Sequence, residues 1–139
     1  SSFGAVSDAA KEFARQGLSV EETAKRTKDA MILARLANIS FSESVTTLTT
    51  GMNSFNKEAL DSSTILAKLT SVDKAFAVSL GDLAGALTRV GSSAADVGVS
   101  FDQLVALVGE FQDVAGLVER VRVTITELAA RAKTSASKQ

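Results

Sequence analysis

The sequence predicts an all-α chain, a bundle of about six to seven helices joined by short capped turns. Three observations predict it. The first is a unit that occurs three times: Gly17-Leu18-Ser19-Val20-Glu21-Glu22, Asn38-Ile39-Ser40-Phe41-Ser42-Glu43 and Gly98-Val99-Ser100-Phe101-Asp102-Gln103. Each places Glu or Gln three residues after a Ser, the spacing of the capping box, in which the Ser oxygen accepts from the N3 amide and the N3 side chain returns to the Ser amide. The Gly or Asn before it can take the left-handed conformation that closes a preceding helix. The second observation is composition: 139 residues contain no Pro, and Phe is the only aromatic. Ala carries much of the apolar fraction, which favours closely packed helices over sheets. The third is apolar spacing of three and four residues through most of the chain.

The elements follow in order. Phe3, Val6, Ala10 and Phe13 recur at helical spacing and predict a short helix ending at Gly17. Ser19, with Glu22, caps a second helix running to about Ala37. Val20, Ala24, Met31 and Ala34 share one of its faces, with Ala30, Leu33 and Ala37 alongside. Ser40, with Glu43, starts a third helix carrying Val45, Leu48, Met52 and Phe55. Its Thr46-Thr47 and Thr49-Thr50 are poor helix formers, so packing must hold them. Residues 58–78 read as one helix with a weak point at Thr70-Ser71, lined by Ile65, Leu69, Val72 and Phe76.

Ser79 and Asp82 repeat the cap with a shorter carboxylate, and Leu80, Leu83, Ala84, Leu87 and Val90 form an amphipathic stripe. Gly91 is expected to stop that helix, leaving at most a short helical segment over 92–97. Ser100, with Gln103, starts the next, whose stripe is Phe101, Leu104, Val105, Val108 and Phe111. The last helix differs. Val114, Val118, Val121, Ile125, Leu128 and Ala132 step by 4, 3, 4, 3 and 4, a heptad seam. It serves either as an amphipathic helix packed on its own domain or as a self-associating coil. The division expected is a compact module over 1–113, the heptad helix over 114–133, and a frayed polar tail over 134–139.

Composition excludes several kinds of chemistry. There is no Cys and no His, so no disulfide, no thiolate, and neither the commonest general base nor the commonest transition-metal ligand. Glu21 and Glu22 sit in a first helical turn, where they complement the macrodipole rather than sharing acid–base work. No cofactor or metal site and no catalytic constellation is expected, and the chain reads as a non-enzyme. A net charge of −1 with scattered basic residues offers no cationic stripe for nucleic acid. No apolar run approaches the roughly 18 residues of a membrane span. Gly81 and Gly85 sit at small-xxx-small spacing and read as close helix packing. The start at Ser1 and the unmarked end suggest a segment of a longer chain.

From Gly17 to Gly116 the chain resembles the helical core region of phage tail tape measure proteins. The resemblance rests on an ordered series: the run 17–24 from Gly17 to Ala24, an Ala-rich helix with Ala30, Leu33 and Ala34, a second capped helix ending near Phe55, the run Ser79 to Leu87, then Gly91, Ala94-Ala95 and Gly98 to Phe101. It departs at Asn38, where the family often has Gly, and Asn also tolerates the left-handed region. The resemblance implies an assembly role: a tape measure protein sets tail length, lies in the tail lumen or at the tail tip, and leaves with the genome on infection. It implies partners too: other copies of the chain in a homo-oligomer, tail tube, tail-tip or baseplate hub proteins, and tail assembly chaperones in the host cytoplasm. As one unbroken helix the chain would span roughly 210 Å, at about 1.5 Å per residue. The caps fold it back, so it is expected to be a compact module attached to the ruler. A non-viral cytosolic helical adaptor, and a helical segment that touches membrane only during ejection, are the alternatives.

Overall fold

The computed structural model describes residues 3–73, 79–109 and 114–137. Among the described residues there are seven α-helices and no strand. They are α1 (Phe3–Arg15), α2 (Val20–Ala37), α3 (Phe41–Ser54), α4 (Ser62–Asp73), α5 (Leu80–Asp96), α6 (Phe101–Gly109) and α7 (Val114–Ser137), with a single 3-10 turn at Asn56–Glu58 between α3 and α4.

The three repeated units are turns of one kind. Gly17, Asn38 and Gly98 all have positive φ, at 78°, 56° and 86°. After α1, the Leu18 amide reaches back to the Phe13 carbonyl and the Gly17 amide to Ala14; after α5, Val99 reaches Ala94 and Gly98 reaches Ala95. These paired bonds are the Schellman closure. Asn38 and Ile39 both donate to the Ala34 carbonyl. The Ser that follows then accepts from the amide three residues on: Ser19 from Glu22, Ser40 from Glu43, Ser100 from Gln103. The return arm closes at Ser100, whose amide donates to Gln103 Oε1 at 2.9 Å. At the first unit the Glu22 carboxylate instead holds Arg26 at 2.8 Å. Ser79 caps α5 by the same bond from the Asp82 amide.

The core sits around α5, which touches α2, α3, α4, α6 and α7. Leu83, Leu87 and Ala94 of α5 are buried with Leu33, Leu48, Ile65, Leu69, Leu104 and Val108 from the surrounding helices. Each of the buried Leu, Ile and Val side chains contributes about 1.5–3 kcal/mol on leaving water. Phe55 and Phe101 meet edge to face, with ring centroids 5.4 Å apart, a favoured aromatic geometry. Packing does hold the Thr-rich stretch of α3. Thr47 Oγ1 donates to the Glu43 carbonyl within its own helix and lies 3.1 Å from Thr88 Oγ1 of α5.

Two expectations change. Gly91 does not stop a helix: α5 runs through it to Asp96. A Cβ at Gly91 would stand 3.3 Å from Thr50 Cγ2, so the missing side chain lets α3 lie close, and that packing outweighs the poor helix propensity of Gly. Residues 58–78 do not form one helix from their start. The chain turns at Ala59, whose φ is 53°, and α4 begins at Ser62 behind an Asp61 cap whose Oδ1 accepts from the Thr64 amide at 2.8 Å. The expected contribution of Phe76 lies outside the described residues, as does that of Phe111. α7 runs to Ser137.

Candidate functional site

The face of α2 that carries Val20, Ala24 and Met31 points away from the core. Its inward side is Asp29, Ala30 and Leu33, all buried. At 100° per residue, Leu33 and Asp29 fall roughly opposite Val20, Ala24 and Met31. Val20 at 83% and Met31 at 49% are exposed on that face, and Leu36 at 56% and Ile32 at 37%, further round the helix, are exposed as well. Single exposed aliphatics are ordinary; these four are spread over one broad side of α2 that also carries Lys28 and Arg35. From Val20 to Leu36 it spans roughly 24 Å of helix.

Local structure explains how the stripe is held out. α1 folds back at Gly17 and lies along α2, and its Ala10 and Ala14 form the low wall of an open groove. Leu18 and Ile39, the residues after the two left-handed turns, close its ends together with the exposed stripe. The opposite side of α2 is fixed by polar contacts. Asp29 Oδ2 accepts from the buried Ser62 hydroxyl at 2.6 Å and from Ser63 at 3.0 Å. Lys25 Nζ lies 2.6 Å from Asp61 Oδ2, and the buried Ser44 hydroxyl donates to the Ala30 carbonyl at 2.6 Å. These bonds give α2 one rotational setting against α3 and α4. A helix with an apolar stripe on each side could otherwise settle on either.

The electrostatics of that setting centre on Asp61. Hydrogen bonds from Lys25 and from Thr64 hold its carboxyl well below the usual carboxylate range. The same contact raises Lys25 above its ordinary 10.5. Elsewhere, Lys68 pairs with Asp102 at 2.7 Å, and Glu58 Oε2 accepts from the Phe101 amide at 2.9 Å, so α6 begins on a carboxylate from a distant part of the chain.

The heptad positions divide. Ile125 is buried in the core cluster, so α7 packs on its own domain there. Leu128 and Ala132 are exposed. The side chains of Val114, Val118 and Val121 lie outside the described residues. The Gly pair also divides: a Cβ at Gly81 would stand 2.8 Å from the Ala37 carbonyl oxygen, whereas nothing lies within 4 Å of one at Gly85. Among the described residues there is no cluster of acidic side chains able to hold a metal ion. No described helix is long and apolar enough to cross a membrane.

Sequence reasoning grouped Val20, Ala24, Met31 and Ala34 on one face of the helix without stating what covers it. The signal that could have oriented it was Asp29, which lies across the helix from that stripe and accepts hydrogen bonds from Ser62 and Ser63 after folding. Nothing local to α2 announces those partners.

No solved structure matches the chain. The model of the phage-related minor tail protein family matches residues 1–139. The chain belongs to that family, and its role is that of a structural component of a phage tail.

Proposed function

We propose that this chain is a compact helical segment of a tape measure protein, the tail component that sets tail length and is released with the genome on infection. The observation that carries the reading is the ordered series of capped turns and Ala-rich helices between Gly17 and Gly116, on a chain of a phage tail family. The Schellman closures at Gly17 and Gly98, and the related turn at Asn38, support the compact part of the reading, because each reverses the chain. α7 is the natural continuation into an extended rod, with exposed Leu128 and Ala132 available beyond the point where Ile125 holds it to the core. Its place is the tail lumen or tail tip. Its partners are other copies of itself, tail tube, tail-tip or baseplate hub proteins, and assembly chaperones. The tail family favours this over a cytosolic adaptor.

The test is a series of in-frame deletions in the gene that encodes the segment, with tail length read by electron microscopy. A tape measure gives tails shortened by about 1.5 Å for each residue removed from extended helix, and by less per residue for deletions within 1–113. Tails of unchanged length across the whole series contradict the proposal.

A further inference from the structure

We propose that the outward face of α2 docks an amphipathic helix of another protein, one that carries carboxylates seven residues apart beside its apolar ridge. This goes beyond the tape measure reading and does not depend on it. The aliphatic part of the face is Val20, Met31, Ile32 and Leu36, and the charged residues lining the groove are Lys28 and Arg35. No carboxylate lines it. The four cations of α2 differ in their pairing. Lys25 is held by Asp61 and Arg26 by Glu22, within the chain. Among the described residues, Lys28 and Arg35 have no ion-pair partner, and both are exposed. Two cations are neutralised within the chain and two are left available.

Lys28 and Arg35 stand two helical turns apart, roughly 10.5 Å, with Met31 and Ile32 between them. A helix lying along the groove would insert apolar residues between the cations and set an acid at each, the helix-in-groove mode of recognition. A second copy fits less well. A two-fold contact centred on Met31 and Ile32 would bring Lys28 of each copy to Arg35 of the other, and like charges brought together disfavour a wrong partner.

The probes are two synthetic heptad-repeat peptides with the same Leu positions. One carries Glu at flanking positions seven residues apart; the other carries Lys there. Binding to the whole chain is read by fluorescence anisotropy at low and at moderate salt. The Glu peptide is expected to bind about tenfold or more tightly than the Lys peptide, with the difference shrinking as salt screens it. The Lys28→Glu, Arg35→Glu double variant is expected to reverse the preference, its fold checked by circular dichroism. A Met31→Ser, Leu36→Ser variant, altered only at exposed positions, is expected to bind neither peptide and serves if the charge variant does not fold. Equal affinity for the two peptides overturns the proposal. So does no binding of the Glu peptide, or sedimentation showing that the chain dimerises through this face and excludes the peptide.

Discussion

Gly81, in the first turn of α5, lies against the carbonyl oxygen of Ala37 at the end of α2, so close that a Cβ at residue 81 would stand 2.8 Å from that oxygen. The obstacle is backbone, which cannot swing aside as a side-chain tip can. Gly85, four residues on and with the same spacing signature in the sequence, faces open space. Gly81→Ala is therefore expected to destabilise the fold by about 1–3 kcal/mol, as overpacking does. Gly85→Ala is expected to stabilise it by about 0.5–1 kcal/mol, because an exposed helical Gly gives up helix propensity for nothing in return. Urea denaturation of both variants separates them by sign.

Asp29 and Ser62 form the buried link between α2 and α4. Replacing Asp29 by Ala leaves the Ser62 hydroxyl enclosed without its acceptor, at a cost of about 1–3 kcal/mol. Adding Ser62→Ala removes the orphaned group, so the double variant is expected to be less destabilised than the sum of the two single ones. A double-mutant cycle by chemical denaturation checks this. Strict additivity would mean that the hydrogen bond contributes nothing to the setting of α2.

The Lys25–Asp61 contact makes part of the stability depend on pH. The folded carboxyl of Asp61 is held below its ordinary value of 3.8, so its contribution is complete above that value and is lost as pH falls through the lower, folded one. Lys25 is raised above 10.5, so its share is present below that value and lost as pH rises above it. Both side chains are well exposed, at 38% and 45%, and the effect is accordingly small and weakened by salt. Asp61→Asn is expected to flatten the acid side of a stability–pH curve measured by thermal denaturation, and Lys25→Met the alkaline side.

The caps give graded effects. Ser19→Ala, Ser40→Ala and Ser100→Ala are each expected to cost about 1 kcal/mol, the usual loss of an N-cap oxygen. Their N3 partners are not equivalent. Gln103 returns a bond to the Ser100 amide, while Glu22 is engaged with Arg26. Gln103→Ala is expected to lower the melting temperature, and Gln103→Glu to preserve most of it, since a carboxylate can accept the same bond.

Local signals in the sequence reached the structure well where a turn or cap is encoded by adjacent residues. Gly17, Asn38, Gly98 and the Ser that follows each of them act as their types dictate. The reading failed where distant residues decide. Gly91 looks like a stop, yet Thr50 of α3 and Phe55 just after it turn it into a packing position. Glu58 looks like the start of a helix, yet its carboxylate caps α6. Val20, Ala24 and Met31 read as one apolar face, and periodicity does not state what covers it. The other side of α2 won the interior through Ala30, Leu33 and the Asp29–Ser62 bond. The candidate site was therefore visible as a pattern and invisible as a surface.

The central claim is that α2 turns Met31 outward and that another protein covers it in the tail. The chain has no Cys, so Met31→Cys and Leu33→Cys each introduce a single thiol. The direct measurement is maleimide labelling of each variant, first as the isolated chain and then within assembled tails. The account predicts rapid labelling at position 31 and slow labelling at position 33 in the isolated chain, with position 31 becoming protected in tails. Protection of position 31 in the isolated chain, or equal labelling of it before and after assembly, would contradict it.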